Sequence, residues 1–201
     1  MLRTLKDSTH GLHRRAEQYV RILDRDATAD DYARYLRAMY GFHAPIENTL
    51  AADGVLEAAG FTAARRRKTP LLAQDLRRLD PCDIVPPSCF ALPVSDSVAR
   101  RIGIAYVVEG STLGGKYILA HLPPALAALR GTATAFLEGY GAETGARWRG
   151  FAEMAARLIT AASAPGAEAE AIAGARDTFE RLIAWLARFE RRDHRRAGEA
   201  S

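Results

Sequence analysis

Five histidines could supply metal or acid–base chemistry in this 201-residue sequence, and one of them has a well-placed partner. They are His10, His13, His43, His121 and His194. Glu17 follows His13 by four residues, which on a helix brings a carboxylate within reach of one imidazole nitrogen. A carboxylate in that position fixes the tautomer and leaves the other nitrogen able to bind a metal. The alternative is a histidine–glutamate pair on a solvated helix surface.

Three glycines interrupt an apolar helical pattern over residues 101–121. Gly110, Gly114 and Gly115 each cost a helix interior about 1 kcal/mol relative to alanine. Three explanations remain open: a turn between two helices, close packing of another helix over Gly110 and Gly114, or a flat ligand lying across the helix. Gly110 and Gly114 share one face. Without Cβ atoms there, a planar molecule could approach the backbone, and the weakened helix could kink around it.

Lys6 adds a cation to the face of the first predicted helix that carries His13. It lies two turns earlier, about 10 Å along the helix axis. This is close to the span from the centre of a porphyrin to its propionate edge. The alternative is a solvated surface lysine.

Helical periodicity without an alternating strand pattern predicts an all-α fold. We expect one domain over residues 1–192 and a flexible tail over 193–201. Thr28 and Asp31 resemble a capping box, and Ser95, Asp96 and Ser97 are expected to cap the glycine-containing helix. The other predicted helices span 2–23, 28–56 with a bend or restart at Pro45, 71–79, 146–162 and 167–192, with short helices after residue 123 and a Pro-rich loop over 80–94.

The composition is that of an ordinary globular protein, with 48% apolar and 26% charged residues. The net charge of +4 is too diffuse to argue for nucleic acid. Because no apolar run reaches about 18 residues and the N-terminus is charged, we expect neither a membrane span nor a signal peptide. Cys82 and Cys89 are expected to be free thiols of a cytoplasmic protein.

Three segments together resemble the haem oxygenase family. Residues 5–17, LKDSTHGLHRRAE, resemble its proximal helix, which has a lysine, the axial histidine and a following Ala-Glu in this order. Residues 106–115, YVVEGSTLGG, resemble its glycine-rich distal helix. Residues 139–149, GYGAETGARWR, resemble a stretch of the bacterial branch associated with bacteriophytochromes. Because their order and separation agree, the resemblance covers nearly the whole chain.

The resemblance implies a multi-helix bundle that holds haem between the N-terminal helix and a kinked glycine-rich helix. It implies that O₂ and external electrons open haem to biliverdin, CO and ferrous iron. By position, His13 matches the axial iron ligand and Glu17 its hydrogen-bond partner. The matches to propionate-binding residues are Lys6, Tyr106 and, by the Trp-Arg match alone, Arg149. The matches to the distal face are Gly110, Gly114, Gly115 and Ser111, the last standing where some members have an aspartate.

Haem would then be both cofactor and substrate, and its electrons must come from another protein because the sequence lacks a dinucleotide-binding glycine fingerprint. Basic residues at 65–68, 77–78 and 100–101 are predicted to form a docking face for an acidic ferredoxin, a flavodoxin or a reductase. The alternative is that these runs are solvated helix ends. A bacteriophytochrome is a possible acceptor of the biliverdin.

Three other functions compete with this interpretation of the sequence. The first is a haem-binding or haem-sensing protein without turnover. The second is a helical thiaminase-like enzyme, which would need a cysteine nucleophile and is disfavoured because both cysteines fall in a Pro-rich loop. The third is a protein–protein adaptor, which leaves the glycines unexplained.

Overall fold

The computed structural model describes residues 1–52, 54–80, 88–89, 91–162 and 166–199, with side chains described as far as Phe189. Within these residues the regular structure is helical, which confirms the predicted all-α class. The α-helices are α1 (Leu2–Glu17), α2 (Ala29–Ala51), α3 (Gly54–Ala58), α4 (Thr69–Leu79), α5 (Val98–His121), α6 (Ala135–Glu138), α7 (Thr144–Ala161) and α8 (Ala167–Glu199). Short 3₁₀ turns cover Arg21–Leu23, Ala63–Arg66, Pro124–Leu129 and Gly141–Glu143.

The two predicted helix starts are confirmed by their capping bonds. At the start of α2 the Thr28 amide donates to the Asp31 carboxylate at 2.9 Å, and the Asp31 amide donates to the Thr28 hydroxyl at 3.2 Å. At the start of α5 the Arg100 amide donates to the Ser97 hydroxyl at 3.1 Å. Each cap satisfies amides that have no partner within the first turn of a helix.

Pro45 lies inside α2, and the helix continues through it. Of the predicted bend or restart at this residue, the restart is therefore wrong. A proline cannot donate to the carbonyl four residues earlier, here that of Gly41. The Cys89 amide donates to this carbonyl instead, at 2.9 Å. The helix therefore continues because a distant part of the chain replaces the missing hydrogen bond.

Other boundaries also differ from prediction, since the helix predicted over 28–56 ends at Ala51 and a separate helix, α3, begins at Gly54. The first helix ends at Glu17, and the expected continuation to residue 23 is a separate 3₁₀ turn. The last helix extends through Glu199, past the predicted domain end at residue 192. The positions of Cys82 and of most of the predicted 80–94 loop lie outside the described residues. No helix in the described part of the chain is both long and apolar enough to cross a membrane.

The α5 helix is continuous from Val98 to His121, which excludes the turn explanation for its glycines. None of Gly110, Gly114 and Gly115 has a positive φ. These positions therefore impose no conformation that an alanine could not adopt.

The close helix contact in this fold lies at another glycine of α5, where α5 crosses α8. A Cβ added to Gly103 would lie 2.0 Å from the carbonyl oxygen of Ala171, and one added to Gly174 would lie 2.3 Å from that of Arg100. The two backbones therefore touch, with no room for a side chain between them. This contact, rather than one at Gly110 and Gly114, brings α5 against α8.

Helix α8 also supports α1, and the two run in the same direction. The Met1 amino group lies 3.5 Å from the Glu168 carboxylate, and Arg176 donates to the Ser8 carbonyl at 3.2 Å. Further along, the ring of Phe179 contacts that of His13. Helices α1 and α5 are therefore both positioned by the same long helix.

We predict that Gly103→Ala lowers the free energy of unfolding by about 1 to 3 kcal/mol or more, because the added methyl group overlaps the Ala171 backbone. Gly150→Ala in α7 is the matched control, since nothing lies within 4 Å of a Cβ at that position. The control should be neutral or stabilised by up to about 1 kcal/mol. Denaturant-induced unfolding measures both values, and equal stability of the two variants would contradict the tight contact.

Candidate functional site

The predicted pairing of His13 with Glu17 is present on the outer face of α1. The His13 Nδ1 atom lies 3.2 Å from the Glu17 carboxylate, and the two side chains are 55% and 59% exposed. The edge of the His13 ring meets Phe179 of α8 at a centroid distance of 5.8 Å and an angle of 71°. With Glu17 on the Nδ1 side, Nε2 is the nitrogen available for a metal.

The remaining described histidine side chains have other surroundings. His43 is fully buried among the rings of Phe42 and Phe136, with Nδ1 3.5 Å from the Glu47 carboxylate. His121 stacks on the ring of Tyr117 at 4.1 Å and hydrogen-bonds with its carbonyl at 2.8 Å. His10 is exposed on α1, and the side chain of His194 lies outside the described residues. His13 thus combines an exposed ring with a carboxylate partner.

The Tyr106 side chain of α5 lies next to Thr9 of α1. Thr9 lies one turn before His13, and Tyr106 lies one turn before Gly110. Burial raises the pKa of the Tyr106 hydroxyl, and the neighbouring Thr9 opposes that shift. The predicted contributions of α1 and α5 to the site therefore begin at neighbouring residues.

One face of α5 is open and consists of Gly110, Leu113, Gly114 and Tyr117, which we call the open face. A Cβ at Gly114 would meet nothing within 4 Å, and a Cβ at Gly110 would meet only the Trp148 ring, at 3.9 Å. Leu113 is 41% exposed and Tyr117 61% exposed. The spacing i, i+3, i+4, i+7 places all four on one side of the helix. The open face is apolar and has glycine backbone at its centre.

Gly115 does not belong to the open face, so its assignment to the distal haem face is corrected. It is buried, and an added Cβ would lie 2.9 Å from the carbonyl oxygen of Leu137 in α6. Gly115 is one position, about 100°, further around the helix than Gly114. Its missing side chain is explained by close packing of α5 on α6.

The other predicted site residues lie near these elements. Ser111 is half-buried and donates to the Val108 carbonyl at 2.7 Å, which leaves its oxygen able to accept from water. Lys6 is exposed on α1. Arg149 is exposed on α7, with one guanidinium nitrogen 3.6 Å from the Cβ position of Gly145. Its side chain therefore extends back along its own helix.

Trp148, Leu113 and Tyr117 were not predicted as site residues. The ring of Trp148 lies beside Gly110 and 5.7 Å from the ring of Tyr106. The spacing of Leu113 and Tyr117 from Gly110 was the signal that could have identified them. Their apolar character places them in the apolar helical pattern of residues 101–121.

A buried ionic cluster behind α5 changes the predicted docking face. The Glu109 carboxylate pairs with both Arg66 and Lys68, and Lys68 also donates to the Tyr140 hydroxyl at 2.7 Å. Burial lowers the pKa of Lys68, while the negative charge of Glu109 opposes that shift. Arg67 lies 3.5 Å from the Glu47 carboxylate. The prediction that residues 65–68 form a surface docking run is therefore wrong for Arg66 and Lys68, which are drawn inward by Glu109.

A cavity of about 290 Å³ is lined neither by His13 nor by residues of the open face. It lies between the turn after α1, helix α2 and the last helix, with Tyr19, Arg21, Tyr35 and Phe189 in its lining. Its two arginines each pair with a neighbouring aspartate, Arg21 with Asp24 and Arg34 with Asp31. This cavity is separate from the predicted site.

Comparison with known proteins connects this geometry to a family. Residues 1–188 match the family model described as Heme oxygenase. The chain belongs to the haem oxygenase family. A haem oxygenase of Xanthomonas campestris pv. campestris (strain 8004) is 38% identical over 164 residues, covering 79% of this chain and 90% of that protein. The crystal structure of the NO- and CO-bound haem oxygenase from Neisseria meningitidis matches with a TM-score of 0.74 and 25% identity, covering 93% and 90% of the two chains.

Family membership and fold together support a haem-degrading oxidoreductase, as the resemblance implied. This assignment excludes the thiaminase-like and adaptor alternatives. The described residues also fit haem physically. His13 offers one imidazole nitrogen, and the open face offers an apolar surface with two positions where a Cβ would meet little or nothing. A flat apolar ring with a central iron requires both kinds of contact.

We predict that Gly110→Ala and Gly114→Ala fold at least as well as the parent but bind haem more weakly and turn it over more slowly. The added methyl groups have space in the protein and improve helix propensity by up to about 1 kcal/mol. They would occupy the surface that the haem ring approaches. Unfolding by denaturant and titration with haemin measure the two effects separately.

Gly115→Ala is the matched control for these two variants. Its methyl group would overlap the Leu137 backbone, so it should lose about 1 to 3 kcal/mol of unfolding free energy. Normal haem affinity and turnover in Gly110→Ala and Gly114→Ala would show that the open face does not contact haem.

Proposed function

We propose that this haem oxygenase binds haem between α1 and the open face of α5 and converts it to biliverdin. Bound haem supplies the iron that takes up O₂ and external electrons and the ring that is opened, with release of CO and ferrous iron. The observation that carries this proposal is the exposed His13 ring, whose Nδ1 is occupied by Glu17 at 3.2 Å.

In this proposal His13 is the axial ligand through Nε2. Glu17 accepts the hydrogen bond of Nδ1–H, which holds the neutral tautomer and makes the imidazole a better donor. Phe179 limits rotation of the imidazole because its ring meets the edge of the His13 ring. A neutral histidine ligand leaves the opposite side of the iron open to oxygen.

The open face covers the opposite side of the ring. Gly110 and Gly114 admit the haem to the α5 backbone, and Leu113 and Tyr117 lose their exposure to water against it. Ser111 holds water near this side, because its hydroxyl proton is directed to the Val108 carbonyl and its oxygen can still accept. The restricted space directs oxygen toward one edge of the ring.

Lys6, Tyr106 and Arg149 are proposed to bind the propionates. Lys6 is exposed on the face of α1 that carries His13, and the Tyr106 hydroxyl lies at the junction of α1 and α5. Arg149 is supported by its neighbour Trp148, which reaches Gly110. These groups fix the rotation of the ring about the iron–histidine axis and contribute only a small part of the binding affinity for haem.

The partners follow from the chemistry. Electrons are proposed to come from a ferredoxin, a flavodoxin or a reductase, which would dock on exposed cations such as Arg65, Arg77 and Arg78. We further propose a cytoplasmic protein of the bacteriophytochrome-associated branch, with a bacteriophytochrome as the acceptor of biliverdin. The domain is proposed to end at residue 192.

We predict that haemin binds in a one-to-one ratio and that His13→Ala loses the absorption spectrum of a histidine-ligated haem. His10→Ala is the matched control, because His10 is exposed on the same helix three residues earlier. It should retain the parental spectrum. If His13→Ala kept the parental spectrum and His10→Ala lost it, the ligand assignment would be wrong.

We predict that Lys6→Ala still binds haem, with at most about a tenfold loss of affinity. One exposed contact to a propionate contributes on the order of 1 kcal/mol. The ring should rotate more freely about the iron–histidine axis, so that chromatography of the extracted bilin shows a mixture of isomers where the parent gives mainly one.

Arg15→Ala is the control for charge, because Arg15 is an exposed cation on the opposite side of α1 from Lys6. It should leave the isomer composition unchanged. A single isomer from Lys6→Ala would assign the orientation to Tyr106, Arg149 or another group, and complete loss of haem binding would show that the lysine contributes most of the affinity.

A further inference from the structure

Glu109 is a buried acid in α5, immediately before the first glycine of the open face. Its side chain is 1% exposed and pairs with Arg66 and with Lys68, which is also 1% exposed. The Tyr140 hydroxyl donates to the same carboxylate at 2.9 Å. A buried carboxylate with three partners is more than helix packing requires.

The partners of Glu109 come from two other parts of the chain. Arg66 and Lys68 precede α4, and Tyr140 lies between α6 and α7. Lys68 is itself fixed, because its ammonium group donates to the Arg66 carbonyl at 2.7 Å and its amide donates to Glu47 of α2 at 2.6 Å. Glu109 therefore joins α5 to a network that is anchored on α2.

Aromatic rings pack against the cations of this network. The Arg66 guanidinium lies 5.0 Å from the ring centroid of Phe61, and the Lys68 ammonium lies 5.0 Å from that of Tyr140. The Arg147 guanidinium lies 4.5 Å from the same Tyr140 ring. These contacts restrict the side chains that hold Glu109, so the carboxylate has a defined position.

Helix geometry relates this position to the open face. Side chains on an α-helix are separated by about 100° per residue, so Glu109 projects about 100° from Gly110 and about 140° from Gly114. Rotation of α5 about its axis would move the glycines and at the same time withdraw Glu109 from its partners. An unpaired buried charge is strongly unfavourable, and this opposes the rotation.

We propose that Glu109, Lys68 and Tyr140 are positioning residues that fix the rotation of α5 about its own axis and so determine which backbone the open face presents to haem. This inference rests on the proposed binding of haem at the open face. The glycine contacts at Gly103 and Gly115 set how closely α5 approaches α8 and α6, and the ionic cluster adds an electrostatic restraint on its rotation.

If the cluster only stabilises the fold, its removal should change stability alone. If it positions α5, a variant that stays folded without the cluster should still lose the fixed rotation of this helix. Buried ion pairs can often be replaced by apolar side chains of similar volume without loss of stability. The Glu109→Leu/Lys68→Met double variant removes the two charges that are 1% exposed and keeps most of the volume, while Arg66, which is 13% exposed, remains. We expect it to fold with parental secondary structure, whereas Glu109→Gln alone leaves Lys68 without a full counter-charge and should be less stable.

Two readouts follow the rotation of α5. Amide hydrogen exchange over residues 110–117 is measured in the haem-free protein, and we expect at least tenfold faster exchange in the double variant. The extracted bilin is then analysed by chromatography after turnover of added haemin. We expect at least two isomers from the double variant where the parent gives mainly one.

Tyr140→Phe and Tyr32→Phe form a matched pair of milder variants. Each removes one hydroxyl, and the Tyr32 hydroxyl donates to the Ala133 carbonyl at 2.8 Å, away from the cluster. Tyr140→Phe should shift the isomer composition and the exchange of residues 110–117, and Tyr32→Phe should change neither. If both variants change the isomers equally, general loosening of the fold explains the effect and the positioning role is overturned.

The outcomes separate this inference from the proposed function. A parent protein that converts no haemin contradicts the proposed function, while the exchange of residues 110–117 still tests the rotation of α5. If the parent is active and the folded double variant keeps parental exchange and a single parental isomer, the positioning role is overturned. Faster exchange with an unchanged isomer would overturn the connection between the cluster and haem.

Discussion

The rest of the structure depends on backbone contact between α5 and α8. At Gly103 and Gly174 the two helices approach so closely that a single methyl group would overlap the facing backbone. Close approach brings the neighbouring side chains into dense packing and defines the axis on which α5 lies. Because α1 packs on the same α8 through Ser8 and His13, one long helix sets the positions of both walls of the site.

The glycines of α5 fall into two physically different groups although they look alike in the sequence. Gly103 and Gly115 lack a side chain where α5 contacts the backbone of a neighbouring helix. Gly110 and Gly114 instead face space that the protein does not fill. Glu109, at the centre of the ionic cluster, lies between Gly103 and Gly110 along the helix. The steric contacts fix how closely α5 approaches its neighbours, and under the proposed positioning role the ionic cluster adds an electrostatic restraint on its rotation.

The local features could be predicted from sequence, and the long-range ones could not. The His13–Glu17 pair and the caps at Thr28 and Ser97 depend on residues within one turn, so spacing alone indicates them. The inward direction of Lys68 depends on Glu109, 41 residues away, and the continuity of α2 at Pro45 depends on an amide at residue 89. A run of basic residues therefore looked like a surface patch because its buried counter-charge is distant in the chain.

The location of the structural contacts matters for a protein whose ligand is consumed. A permanent cofactor can serve as part of a hydrophobic core, but a ring that is broken in each cycle leaves a protein that must keep its shape between one substrate molecule and the next. The contacts that hold α5 at Gly103, Glu109 and Gly115 are all made by the polypeptide itself. The polypeptide contacts that hold α5 therefore do not depend on the ligand, and in the proposed site the exposed His13 ring and the open face would alternate between water and ligand.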